Sequence, residues 1–410
     1  MSADSGGAVA RHRLATRLDR AVAGLPEPPP APVAVVDLDA FDANAADLVR
    51  RAAGTPVRVA TKSLRVPGLV TRALATPGFT GVLSYTLREA LWLVHHGVSD
   101  DVLVGYPTVD EAALRELTVD DRARAAVTLM VDDVAHLDLV DRARVSGRPV
   151  RVALDVDAGL RWRTGPHLGL RRSPLREPAD VVSLARAVLE RPGFELAGVM
   201  TYEGQVAGVP DDGGDPARST AVRAVKTASV RQLRRRRREL AAALHRLVGP
   251  DGPGLWNAGG TGSLETSAAD PVVTEVSAGS GLLGPALFDG YRAFRPRPAA
   301  FFGVPVVRRP RAGCVTVAGG GLVASGAAGR DRLPLPWAPP GLRLTGLEGA
   351  GEVQTPLVGA AADRLSVGDR VWFRHAKSGE LFEHVQQVHL VRGDVVEESV
   401  PSYRGCGQSW

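Results

Sequence analysis

The sequence predicts an α/β chain: a parallel (β/α)8 barrel followed by a mainly β domain. Short β-branched runs alternate with helical patterns over roughly 260 residues, about the size of a closed eight-stranded barrel. Those runs are apolar on both sides, as strands covered by helices on both faces must be. After Tyr291 the helical periodicity gives way to short β-rich pieces separated by Gly and Pro.

Residues 1–30 carry Leu14, Leu18 and Val22 at helical spacing and are expected to pack on the β domain. PEPPPAP is extended and stiff, which sets a boundary and assigns the barrel to 31–290. The predicted strands are VAVVD at 33–37, VRVA at 57–60, GVLS at 81–84, DVLVG at 101–105, AVTLMV at 126–131 and VRVALDVD at 150–157. LAGVMTY at 196–202, GLWN at 254–257 and VVTEVSA at 272–278 complete the set. Residues 291–410, with FFGVPVV, GCVTVAGGG, GEVQTPL, DRVWF and HVQQVHLVRGDVVEE, form the β domain.

Composition narrows the function classes. With 410 residues, 44% hydrophobic and 23% charged, the chain is folded and multidomain. No stretch approaches the ~20 apolar residues of a membrane span, and the opening segment lacks an apolar secretion core, so a cytoplasmic protein without a membrane partner is expected. Cys314 and Cys406 are too few for a disulfide framework or a zinc knuckle. A net charge of +5 does not call for nucleic acid. The arginine run 234–238 sits beside Val230, Leu233, Leu240, Leu244 and Leu247, a buried stripe that leaves most of the arginines on a solvated face. Of the 50 basic residues only Lys62, Lys226 and Lys377 are lysines. An amine can lose its proton and attack a carbonyl, which a guanidinium cannot.

Barrel enzymes set reactive groups at the C-terminal ends of strands. Here Lys62 follows VRVA, Asp155 and Asp157 end VRVALDVD, and Arg163 comes after it. Tyr202 and Glu203 end LAGVMTY, and Asn257 leads into the glycine turn NAGGTGS. That turn offers backbone N–H groups with little obstruction, and SAGSGLLGP at 277–285 is a second Gly/Ser turn that could complete a phosphate cradle. A lysine at one strand end and a phosphate cradle at the late strands are the two anchors that pyridoxal 5′-phosphate requires.

On these residues the chain resembles the fold-type III pyridoxal enzymes of the D-threonine aldolase and D-serine dehydratase family, with their alanine racemase-like barrel. The similarity runs through APVAVVDLDAFDANAADL, TPVRVATKSLRVPGLV, GVLSYTLREALWLVHHGVSDDVLVGYP, ALDVDAGLRWRTG, MTYEGQVAG and WNAGGTGS, and on through the β domain. It implies Lys62 as the Schiff-base lysine and Arg163 and Tyr202 near the cofactor ring. It also implies Gly259, Gly260, Thr261 and Gly262 around the phosphate, with Ser277, Gly279 and Ser280 as a second contact; Asn257 belongs to the same cofactor-binding set.

The β domain departs from that family's pattern. A His-x-Cys or His-x-Asp segment after a Gly-Asp-x-Val strand would hold a divalent metal, but the matching run GDRVWFRHAKSGELFE has His375 and then Lys377. An ammonium cannot coordinate a metal, so the divalent metal stays open, with His375 its one candidate ligand and Glu380, Glu383 and His384 as possible substitutes. Lys377 is expected to replace the metal's charge. The resemblance implies a lyase on a small β-hydroxy D-amino acid, by aldol cleavage or by dehydration and deamination, and a homodimer. Racemisation or epimerisation is the alternative, and a non-catalytic pyridoxal carrier the second.

Overall fold

The computed structural model describes residues 5–144, 148–162, 167–249 and 252–410. Eight parallel strands close a barrel: Val57–Ala60, Phe79–Ser84, Val102–Val104, Val127–Val131, Val150–Asp155, Phe194–Thr201, Leu255–Ala258 and Glu275–Ala278. Closure sets Val276 opposite Val57 and Ala278 opposite Val59. Every residue of Val57–Ala60, Val102–Val104, Val127–Val131 and Glu275–Ala278 is buried, as in a parallel sheet covered on both faces, and the charged residues among them, Arg58 and Glu275, pair with each other at 2.7 Å. Leu103, Met130, Ala153 and Met200 fill the inside of the barrel as one cluster. The helices between strands start where a side chain accepts otherwise unpaired backbone N–H groups, at Thr86, Asp110 and Asp133 among others. Among the described residues no helix is long and apolar enough to cross a membrane.

Val33–Asp37, expected as the first barrel strand, lies in the second sheet instead. It runs antiparallel to Ala300–Arg311 and parallel to Gln387–Arg392. All five of its residues are buried, and a strand covered on both faces carries the same apolar signature in either sheet. The barrel therefore begins at Val57, and the helix Leu38–Ala52 crosses back to it, its Asn44 side chain donating to the Leu282 carbonyl at 3.0 Å.

The second sheet has nine strands. Its main path runs Arg343–Leu344, Gln354–Val358, Cys314–Ala318, Ala300–Arg311, Val33–Asp37, Gln387–Arg392 and Val395–Pro401; Arg370–Arg374 pairs with both Ala300–Arg311 and Leu335–Ala338. The helix Ser5–Ala23 lies on this sheet. Leu18, Ala21 and Val22 pack with Val35, Phe301 and Trp372, and the Trp372 indole N–H donates to Asp19 at 3.0 Å.

The two sheets meet at the barrel mouth. Buried Arg374 donates to the Gly284 and Pro285 carbonyls at 3.0 and 3.1 Å and pairs with Asp289 at 2.8 Å. The Ala286 and Leu287 N–H groups donate to the His375 and Ala376 carbonyls, each at 3.0 Å. These contacts fix the segment from His375 onward over the barrel. Leu18 is fully buried between the N-terminal helix and the sheet, so Leu18→Ala should cost about 2–4 kcal/mol of stability. Denaturant unfolding would read it; an unchanged midpoint would mean that the helix does not pack on the sheet in solution.

Candidate functional site

A cavity of about 480 Å³ opens at the C-terminal ends of the barrel strands. Lys62, Tyr106, Asp155, Tyr202, Asn257 and Ser277 line it from the barrel, and Ser325, Arg332, Lys377 and Glu380 from the β domain. Of the expected site residues, Gly259, Gly260, Thr261, Gly262, Gly279 and Ser280 line the same cavity. Arg163 lies outside the described residues.

Lys62 sits in a single 3-10 turn, Thr61–Ser63, directly after the first barrel strand. The Thr61 hydroxyl donates to the Leu83 carbonyl at 3.1 Å, and the Lys62 carbonyl accepts from Arg65 Nε at 3.0 Å. Arg65 has φ +52°, a left-handed conformation that a residue with a side chain rarely takes. It is held there by a 2.8 Å pair with Glu383 and by the Tyr403 N–H donating to its carbonyl at 2.9 Å. Gly379 of the β domain presses on the same turn: a Cβ there would stand 2.1 Å from the Lys62 carbonyl oxygen. From this support Lys62 Nζ donates to Tyr106 Oη at 2.6 Å.

The glycine turn after Leu255–Ala258 is shaped for close approach. Gly259 has φ +82°, and a Cβ on Gly262 would lie 2.1 Å from the Ala207 carbonyl oxygen. The Thr261 and Gly262 N–H groups have no partner among the described residues, which leaves donors of the kind that hold a phosphate. Thr261 Oγ1 accepts from the Gly281 N–H at 3.1 Å and lies 3.3 Å from the Ser280 hydroxyl, so the two turns are tied together. Behind them Asn257 donates to Glu275 at 2.7 Å and to Ser277 at 2.8 Å.

Glu203 supports the turn from below. It accepts from the Gly259 N–H at 3.3 Å and the Ser263 hydroxyl at 2.6 Å, bonds Ser267, and pairs with Arg237 at 3.0 Å. The arginine run is split: Arg235 and Arg238 are exposed and Arg234 is partly exposed, as a solvated face requires, while Arg236 and Arg237 are buried. Arg237 also reaches Asp270 at 3.3 Å, and Arg236 donates to the Asp157 carbonyl at 2.6 Å. A guanidinium fans its donors over several acceptors at once, so it can be buried where each is met.

Burial and the neighbouring Asp132 and Asp157 carboxylates push Asp155 up to about 7, against the pull of Arg172. Burial, Glu203 and Tyr106 raise Tyr202 to about 12. Lys377 is held below the ordinary lysine value by burial, with Glu380 opposing and Lys62 reinforcing the shift. It donates to the Ser325 hydroxyl at 2.8 Å, and the Ser325 N–H donates to Glu380 at 2.7 Å.

His375 is buried, and burial together with Arg374 drives it down to about 3. Its two ring nitrogens lie 3.1 Å from the Ala300 carbonyl and 3.1 Å from the Ser378 hydroxyl. With both nitrogens engaged and an ammonium at position 377, these donors do not fit a divalent metal. Among the described residues no group of three or more His, Cys, Asp or Glu side chains is placed to hold one.

Tyr106, Arg172, Ser325 and Arg332 are among the cavity residues that sequence reasoning passed over. Tyr106 follows a strand of three residues, Val102–Val104, and its phenol is distinguished by a contact 44 positions away. A tyrosine two residues beyond a strand end was the available signal.

Residues 36–286 match the family model described as alanine racemase, N-terminal domain. A D-threonine aldolase from Arthrobacter sp. is 30% identical over 275 residues, which are 63% of this chain and 65% of that protein, so the chain spans just under two thirds of that relative's length. Among solved structures, D-threonine aldolase from Filomicrobium marinum matches with a TM-score of 0.75 at 23% identity, covering 92% of this chain and 96% of that one. D-threo-3-hydroxyaspartate dehydratase from Delftia sp. HT23 gives 0.68 at 20% identity over 91% and 97%. Alanine racemase from E. faecalis gives 0.59 at 19% over 83% and 87%. At these identities the structural matches carry the fold.

The raised Asp155 has a stability signature. Its folded carboxyl holds a proton more tightly than the unfolded one, whose value is near 3.8, so the native state loses stability as pH rises from there to about 7. Asp155→Asn removes that loss. The variant's melting temperature should gain on the wild type across this interval and level off above it; a difference independent of pH would contradict the assignment.

Proposed function

Because the chain belongs to the alanine racemase N-terminal domain family, the fold-type III pyridoxal 5′-phosphate enzymes, we propose that it is a lyase on a small β-hydroxy D-amino acid with Lys62 as the amine that holds the cofactor aldehyde. The reaction is aldol cleavage or loss of water followed by ammonia. The observation that carries this reading is that Lys62 and the glycine turn line one cavity. The residues present fit the cofactor: the N–H groups of Thr261 and Gly262, without a partner among the described residues, suit an anionic oxygen, and Gly262 and Gly279 let the backbone pass where a Cβ would meet carbonyl oxygens at 2.1 and 2.4 Å. The Arthrobacter relative bears the name of a D-threonine aldolase, which supports a lyase of this kind.

In this reading Gly259, Gly260, Thr261, Gly262, Ser277, Gly279 and Ser280 would hold the phosphate and Tyr202 would flank the ring, with Arg163, outside the described residues, implied beside it by the resemblance; Asn257 orients Ser277. When bound, pyridoxal phosphate draws electrons away from the substrate's Cα. Lys62 would be the base for one face of that carbon. Lys377, steadied by Ser325, presents positive charge to the β-hydroxyl from the domain that covers the mouth. His375 acts by fixing that segment through Ala300 and Ser378.

A second reading, racemisation, is favoured by one observation. Two amines, Lys62 and Lys377, line the same cavity, and inversion needs proton-carrying groups on both faces of Cα and no activation of a β-hydroxyl.

Incubation with the D- and L-isomers of serine and threonine separates the readings. Pyruvate or 2-oxobutyrate, or an aldehyde with glycine, is expected from the D-isomers; an inverted isomer alone would select racemisation, and bound cofactor without any turnover would select a carrier. Lys62→Ala should lose the borohydride-reducible adduct and about 10³-fold or more in rate. Lys377→Gln should keep the adduct and lose about 10²-fold in kcat. An adduct that survives in Lys62→Ala would overturn the assignment.

A further inference from the structure

Five tyrosines occur in the chain, and four of them, Tyr85, Tyr202, Tyr291 and Tyr403, are raised above the ordinary phenol value, mainly by burial. Tyr106 goes the other way. Burial opposes its ionisation, and the Lys62 ammonium and the Arg172 guanidinium overcome that opposition. The geometry is direct. Lys62 Nζ lies 2.6 Å from Tyr106 Oη and 5.3 Å from the ring centroid, and the Arg172 guanidinium carbon lies 5.6 Å from the same centroid.

We infer that Tyr106 is the proton partner of Lys62: phenol and amine share one proton across their 2.6 Å contact, and the pair, not the lysine alone, governs when a free amine is presented to the cavity. In the transfer an N–H bond of the ammonium breaks and an O–H bond of the phenolate forms; the two charges cancel and the nitrogen lone pair is freed. Two groups coupled this closely titrate as a unit. Once the pair has lost its first proton, the free-amine fraction is set by the balance between nitrogen and oxygen and stops rising with pH. A lysine without such a partner would go on delivering more free amine as pH climbs. Arg172, Tyr202 and Lys377 also act on the pair, and Asp155 and Glu380 line the same cavity. The inference rests on the proposed role of Lys62 only where it concerns the cofactor; the proton sharing itself belongs to the bare side chains.

The test has two arms on the full chain freed of carbonyl compounds with hydroxylamine. In the first, ultraviolet absorbance follows phenol ionisation against pH. One tyrosine is expected to ionise below the ordinary value of about 10, to vanish from the titration in Tyr106→Phe, and to move to higher pH in Arg172→Gln, which serves if the phenylalanine variant does not fold. In the second, the rate at which added pyridoxal 5′-phosphate forms a borohydride-reducible adduct on Lys62 is measured against pH. The wild-type rate should bend to a plateau where Tyr106 ionises, and the Tyr106→Phe rate should keep rising about tenfold per unit through that range. An early ionisation that persists in Tyr106→Phe, or identical rate profiles in the two proteins, overturns the proton sharing. A normal first arm with no adduct on Lys62 overturns the cofactor role of the lysine and leaves the sharing standing.

Discussion

The turn that carries Lys62 is held from three directions, and the rest of the cavity takes its place around it. The first barrel strand delivers it, and Thr61 ties it sideways to the Leu83 carbonyl of the next strand. From above, the β domain closes on it so tightly that position 379 has no room for a side chain. From behind, Arg65 bends into a left-handed conformation that Glu383 and the Tyr403 backbone maintain. A flexible four-carbon side chain anchored in this way keeps its amine near one wall of the cavity, where Tyr106 meets it.

The second half of the site depends on a different principle. Glu203 and Arg237 are both almost fully buried, and each would be costly there without the other. Together they serve as a hydrogen-bonding floor, because the carboxylate has lone pairs to spare for the Gly259 N–H and for two serine hydroxyls. The glycine turn can then face the cavity with its remaining N–H groups unspent. Charge buried beneath the turn thus organises neutral donors above it.

Much of this was legible in the sequence. The alternation of apolar runs and helices is a local signal, and Lys62, Tyr202, Asn257 and the glycine turns announce themselves because unusual residue types stand where strands end. What escaped has a common physical character. Whether Val33–Asp37 joins one sheet or the other is decided by partners at 300–303 and 388–391, and its own residues are apolar either way. Arg236 and Arg237 look like their solvated neighbours until Glu203 and the Asp157 carbonyl come to meet them. Tyr106 looks like any aromatic residue after a strand until the lysine 44 positions before it arrives. Local pattern reports which face is apolar; it is silent on which distant group supplies the charge.

The reach of the contacts behind Lys62 bears on the order in which the protein assembles. Apart from its closure, where Glu275–Ala278 meets Val57–Ala60, strand pairing around the barrel joins neighbours along the chain, whereas the Tyr403 hydroxyl meets Glu89 across 314 positions, and its backbone secures Arg65 from similarly far away. Links of such long separation form late, since the intervening polymer must first be brought to order. The lysine turn is consequently braced last: a nascent barrel would carry Lys62 on an unsupported loop, and its fixed place at the cavity becomes a property of the docked pair of sheets, a maturation step built into folding itself.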